Sequence, residues 1–252
     1  MDKIKYGKLT LELNSENDGY VIVECDKDVT IVDVPKKVNE IPVVAIGDYA
    51  FSECNNLVTI TFPNYDINDF ADGNLLYEIG EHAFSHCYSL EIIEIPDSVL
   101  TISHGAFSNC SSLKKATFSN NAYVAPYAFY ECKSLVEVSY ITDISEGIFS
   151  GCESLPIFPV SNNTKYIEED AFEGCDSLTE ITIPASVKTI GKLAFRGCSN
   201  LKLVHFENKD NWYWHYRYKD TIIPIDVSDP IKIAKWLSTM DFDDGVDDLF
   251  RK

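Results

Sequence analysis

The amino-acid sequence predicts a mainly β repeat solenoid: a right-handed superhelix with a parallel sheet on its concave side, caps at both ends and a short C-terminal helix. Three observations predict it. A Phe-x-x-Cys-x-x-Leu motif recurs seven times, its copies follow at nearly constant spacing, and the residues after each copy alternate between apolar and polar. Self-similarity at a fixed period is the mark of stacked supersecondary units.

The motif begins at Phe51, Phe84, Phe107, Phe129, Phe149, Phe172 and Phe195. Cys follows three residues on, at Cys54, Cys87, Cys110, Cys132, Cys152, Cys175 and Cys198. Leu follows after three more, at Leu57, Leu90, Leu113, Leu135, Leu155, Leu178 and Leu201. Five residues before each Phe stands Ile46, Ile79, Ile102, Val124, Ile144, Ile167 or Ile190, and Ala precedes every Phe except Phe149, where Ile148 stands. Successive cysteines are 33, 23, 22, 20, 23 and 23 residues apart, the length of one leucine-rich coil. In Leu178-Thr179-Glu180-Ile181-Thr182-Ile183-Pro184 the alternation is clearest. Leu178, Ile181 and Ile183 are expected inside and Glu180 and Thr182 outside, with Pro184 ending the strand by withholding an N–H donor. One such coil cannot bury its own apolar residues. Stacked coils place strands about 4.8 Å apart and hide a continuous column behind them. Seven of the eight cysteines occupy one repeat position, so they are expected as reduced, buried fillers and not as disulfides.

The run Ile190-Gly191-x-x-Ala194-Phe195-x-x-Cys198-x-x-Leu201, with Ile183-Pro184-x-Ser186-Val187 before it, resembles the BspA-like (Treponema-type) leucine-rich repeats. The resemblance spans roughly residues 28 to 208. It implies a curved leucine-rich-repeat solenoid with a strand on the concave side of every coil. It also implies an alternative role, since many members are bacterial cell-surface adhesins that bind host or neighbouring-cell proteins.

Three segments follow along the chain. Residues 1–27 form an N-terminal cap, in which Gly19–Cys25 is strand-like. Residues 28–208 form the solenoid, with one degenerate repeat at Val29–Pro35 and seven clear ones. Residues 209–252 form a C-terminal cap of strand, helix and acidic tail. In that cap Trp212, Trp214, Tyr216 and Tyr218 alternate with Tyr213, His215, Arg217 and Lys219, which reads as a strand with one aromatic face. Asp229-Pro230 opens a helix, with Asp as the N-cap and Pro at the first helical position. Ile233, Trp236, Leu237 and Met240 give the helix an apolar stripe expected to lid the last coil. The acidic run Asp241–Asp248 is expected as a solvated tail or second short helix. A calcium loop would need a ligand at its fifth position and Glu at its twelfth, where Gly245 and Lys252 stand. The long interval after Cys54 places an insertion around Tyr65 to Asn74, expected as a surface loop.

Forty acidic against 21 basic residues give a formal net charge of −19. Such a chain repels phosphate, so neither nucleic acid nor an anionic membrane surface is expected as a partner. No apolar run reaches the roughly 20 residues that span a bilayer, and no signal peptide opens the sequence. The expected location is the cytoplasm if Met1 is the native start, and the cell surface or exterior if an export signal has been removed. No phosphate-binding loop, nucleophile elbow or paired-His metal motif is present, so neither enzyme activity nor a cofactor or metal is expected. His82, His86 and His104 fall in neighbouring coils and read as solvated turn residues more readily than as a zinc site. The aromatic face of the cap reads as core cover more readily than as a sugar platform, which leaves a carbohydrate-binding module or an enzyme as the minor readings.

What remains is the outward side of the strands. It predicts two columns. The first holds Thr59, Ile92, Lys115, Glu137, Ile157, Glu180 and Leu203, and the second Thr61, Glu94, Thr117, Ser139, Pro159, Thr182 and His205. Three glutamates against one lysine make this face mildly acidic, suited to a protein partner with a basic surface.

Overall fold

The structure, a computed structural model of the chain, describes residues 3–65, 75–216, 221–239 and 246–251. The chain divides into two compact units, Met1–Ser139 and Tyr140–Lys252. The first holds the degenerate coil and the motifs of Phe51, Phe84, Phe107 and Phe129, and the second those of Phe149, Phe172 and Phe195.

In both units the motif residues are stacked and buried. The seven motif phenylalanines and all eight cysteines have at most 1% of their surface exposed. In the first unit the rings of Phe51, Phe84, Phe107 and Phe129 follow one another at 4.8, 5.2 and 5.5 Å between centroids, nearly parallel. In the second, Phe149, Phe172 and Phe195 follow at 5.7 and 5.4 Å. Every cysteine is a free thiol, as the spacing predicts, and the structure adds a reason for the residue type. Five of the thiols reach the carbonyl of a Phe in an earlier coil: Cys87 donates to Phe51, Cys110 to Phe84, Cys132 to Phe107, Cys175 to Phe149 and Cys198 to Phe172, at 3.0 to 3.3 Å. The same carbonyl accepts the N–H of its own coil's Cys, as at Phe84, which takes Cys87 N at 3.2 Å. Both lone pairs of a fully buried carbonyl are thereby used. A Val would fill the slot but could not donate.

Turns carry a second ladder. The N–H groups of Phe51, Phe84, Phe107, Phe149 and Phe172 donate to the Ala carbonyl of the next coil, for example Phe84 to Ala106 and Phe172 to Ala194, both at 2.8 Å. To present these groups the backbone is left-handed twice in each coil. It is so two residues before the Phe (Tyr49, His82, Gly105, Tyr127, Gly147, Asp170, Leu193) and two after it (Glu53, His86, Asn109, Glu131, Gly151, Gly174, Gly197). Residues other than glycine pay strain there, which the interlocking turns hold in place.

Most coils also carry a short strand that sequence alternation does not reveal, although Ile144 makes only a single bridge to Ile167. The Ile or Val five residues before Phe ends a pair such as Glu78–Ile79, Thr101–Ile102 or Tyr123–Val124. In the first unit these join Ile41–Ile46 in parallel register, Ile46 beside Ile79, Ile79 beside Ile102 and Ile102 beside Val124. The N-terminal cap completes this sheet. Ile4–Tyr6, Leu9–Leu13 and Tyr20–Cys25 run antiparallel, and the last lies parallel to Ile41–Ile46.

The second unit ends differently from expectation. Asp229 caps the helix Pro230–Thr239, its Oδ1 accepting the N–H groups of Ile231 and Lys232 at 3.1 Å. Ile233, Ala234 and Leu237 are buried on it. The helix supplies the Ser238 carbonyl to Gly197 N at 2.9 Å, the same service that the next coil's carbonyl gives Gly174 N. It therefore stands in for a further coil. Met240 and 241–245 lie outside the described residues. Val246–Arg251, however, is a strand and not a solvated tail or helix. It pairs antiparallel with Thr189–Ile190, placing Leu249 beside Ile190, and on its other edge with Trp212–Tyr216. An unpaired coil edge is a liability, and this pairing covers it despite the two aspartates in the strand.

Candidate functional site

The outward columns can be followed within each unit. In the first, Ile92, Lys115 and Glu137 stand side by side in parallel register, and Glu94 stands beside Thr117. Ile92, Glu94 and Glu137 are exposed, and Lys115 and Thr117 are half-buried. Ser139 follows the strand Glu137–Val138, and its Oγ accepts the Phe118 N–H at 2.8 Å, so this hydroxyl serves the sheet. Lys115 Nζ lies 2.7 Å from Glu137 Oε1, a partner that raises the lysine pKa. The only ammonium in the predicted columns is thus already paired. Thr59 and Thr61 are exposed on a separate two-stranded ladder, beside Ile31 and Asp33.

Ile31 and Asp33 extend both columns by one coil and were not among the expected face residues. Ile31 is 65% exposed. The signal was present: Ile31, Asp33 and Pro35 repeat the spacing of Thr59, Thr61 and Pro63.

In the second unit Glu180 stands beside Leu203 and Thr182 beside His205, with Ile181, Ile183, Val204 and Phe206 buried behind them. Ile157 faces outward, 62% exposed, but the expected strand around it is absent. Pro156 and Pro159 flank it, and each lacks the N–H a ladder needs.

Where the ladder of Thr59–Thr61 stops, the face is hollowed. A groove of about 800 Å³ is lined by Val58 to Tyr65 on one side and by Glu91, Ile92, Glu94, Pro96, Asp97 and Ser98 on the other. Thr59–Thr61 and Ile92–Glu94 belong to different sheets. The insertion falls directly after the first of them, and of its expected span, Tyr65 to Asn74, all but Tyr65 lies outside the described residues.

The histidines and the described aromatic residues of the cap have partners within the fold. His82 stacks on Tyr49 at 5.3 Å and meets His104 edge-on at 5.5 Å, while its Nδ1 lies 3.4 Å from Ser108 Oγ. His86 is engaged with Ser85 and Tyr88. Among the described residues no three His, Cys, Asp or Glu side chains converge as metal ligands. Trp212 is buried, packs edge-on against Phe206 at 4.9 Å and donates its indole N–H to Asn208 O. It is core cover. The side chains of Trp214 and Tyr216, and all of Tyr218, lie outside the described residues. Asp170 is the one carboxyl with a large shift among the described residues. Burial first, then Glu173, Glu169 and Glu146, push its pKa up to about 6. It sits on a turn, away from the columns. No helix among the described residues is long and apolar enough to cross a membrane.

A family model described as BspA type Leucine rich repeat region (6 copies) matches residues 24–140 and 123–216. Among solved structures, a leucine-rich repeat protein of T. pallidum is 26% identical, with 82% of this chain and 84% of that one covered and a TM-score of 0.52. A leucine-rich repeat protein from Bacteroides ovatus is 23% identical, with 82% and 71% covered and a TM-score of 0.51, a likeness of fold. No curated protein matches. The repeated motif, the stacked coils and the matched span agree: the chain belongs to the BspA-type leucine-rich-repeat family.

Proposed function

We propose that the chain is a non-catalytic protein-binding scaffold whose working surface is the outward side of its post-cysteine strands. One observation carries this reading. Side chains of mixed chemistry stand in register along the outward sides of paired strands within each unit. Such a face offers area and pattern, which is what a protein partner needs. Its partner presents a basic surface, because Asp33, Glu94, Glu137 and Glu180 face outward while Lys115 is held by Glu137. The same acidity disfavours nucleic acid.

The test is affinity purification from the native cell, followed by binding of the recovered partner to the Glu94→Lys/Glu137→Lys/Glu180→Lys variant. All three positions are exposed, so the far-ultraviolet circular dichroism spectrum is expected to stay unchanged while binding falls by about tenfold or more, since reversing rim charges places like charges opposite one another. Equal binding by both proteins excludes this face.

A further inference from the structure

The groove at the end of the Thr59–Thr61 ladder carries the reading further. Its lining has two characters. Val58, Phe62, Pro63, Ile92 and Pro96 give it apolar walls, while Glu91, Glu94 and Asp97 give it carboxylates. Val58 and Ile92 are 43% and 48% exposed, so apolar surface is presented to solvent there. Glu91 is compensated by Lys114, at 2.9 Å. Glu94 and Asp97 pair with no cation among the described residues. Lys36, on the Tyr65 side, lies 5.9 Å from that ring's centroid.

Spacing turns this composition into a recognition pattern. Ile92 and Glu94 are two residues apart on one strand, which places their outward side chains about 6.6 Å apart. An extended peptide repeats its own side chains at the same distance. An apolar side chain over Ile92 thereby brings the side chain two positions along over Glu94.

We propose that this groove binds an extended peptide segment of a partner protein, carrying an apolar residue followed two positions later by Lys or Arg. The apolar side chain packs against Ile92 and the prolines. The cationic head reaches Glu94 or Asp97, neither of which is ion-paired among the described residues, although Lys115 lies near enough to Glu94 for that carboxylate to raise its pKa. This inference rests on the protein-binding reading and names the segment the face selects.

The experiment uses the full chain and defined probes. Acetyl-Gly-Leu-Ser-Lys-Gly-amide is titrated into the nitrogen-15-labelled protein, alongside acetyl-Gly-Ser-Leu-Lys-Gly-amide, which has the same composition in the wrong spacing. The correctly spaced peptide is expected to move the amide signals of Ile92 and Glu94 and to bind more tightly than its permutation. Glu94→Gln/Asp97→Asn is expected to weaken it by about fivefold, the scale of two exposed ion pairs. Glu16→Gln/Glu24→Gln, an equal change of charge at exposed positions of the N-terminal cap, is expected to leave it unaltered, and Glu137→Gln/Glu180→Gln separates the groove from the remaining outward strands. Equal binding of the two peptides reduces the effect to general attraction and overturns the proposal. Sensitivity to Glu137/Glu180 and not to Glu94/Asp97 overturns the groove while sparing the strand face. Insensitivity to both pairs, or no binding of either peptide, removes the groove and counts against a basic partner for the face.

Discussion

Asp170 shows what one residue contributes and costs in this fold. Its backbone is left-handed, φ 55°, and its Oδ1 is buried without a hydrogen-bond partner. Burial and the carboxylates of Glu173, Glu169 and Glu146 lift its pKa to about 6. A carboxyl whose folded pKa exceeds its unfolded value binds more protons when folded, so its unfavourable contribution grows as pH rises from about 4 through 6. Asn keeps the shape and tolerates the left-handed backbone. Asp170→Asn is therefore expected to stabilise the protein at pH 7.5 by up to about 1 kcal/mol, discounted for partial exposure, and to match the wild type near pH 4. Urea melts at both pH values check this. A variant less stable at pH 7.5 contradicts it. At Phe172, fully buried between Phe149 and Phe195, the stakes are larger. Phe172→Asp is expected to cost several kcal/mol, or about 3 to 5 for the lost ring before the charge is counted. A thermal melt measures the loss, and an unaltered melting curve argues against the stacked column.

At the scale of elements, two glycines of the second unit have different duties. A Cβ on Gly191 meets the backbone of the previous coil, 2.5 Å from Glu169 N and 2.6 Å from Glu168 C. At Gly174 a Cβ finds nothing nearer than 3.8 Å, and only the left-handed φ of 68° resists it. Gly191→Ala is thus expected to destabilise more than Gly174→Ala, whose cost is about 1 to 2 kcal/mol. Reversal of that order in thermal melts argues against the close approach of coils. The post-cysteine strands were legible because Leu178 to Pro184 and its counterparts alternate over enough residues to declare a period. Pairs such as Thr101–Ile102 are too short to show one. Val246–Arg251 misleads in another way. Asp247 and Asp248 suggest solvent, whereas pairing with Thr189–Ile190 decides the outcome, since strand preference yields to tertiary context. Pro156 and Pro159 gave fair warning that the strand around Ile157 would fail.

For the whole molecule, the repeat makes fold far easier to read than function. Each motif position is solved once and reused in every coil, so Phe, Cys and Leu announce their burial seven times over. The outward columns are nearly as legible, because they follow by counting from Leu, and Ile31 with Asp33 needed only the same count applied to the degenerate coil. The groove beside Ile92 and Glu94 was not, since it arises where an insertion interrupts the period and two sheets part. The claim beneath all of this is that stacking hides identical side chains, thiols included, inside each unit. Burial drives Cys198 up to about 12 and raises Cys110 and Cys175 as well, while Cys54, lowered by its hydrogen bond with Cys25, is fully buried, so a thiol reagent that needs thiolate has no access. The direct measurement is thiol titration with such a reagent at pH 8, in buffer and in denaturant, without reductant. The structure predicts no rapidly reacting thiol in the native protein and all eight after unfolding. Several reactive thiols in the folded state, or fewer than eight in the unfolded one, would contradict it.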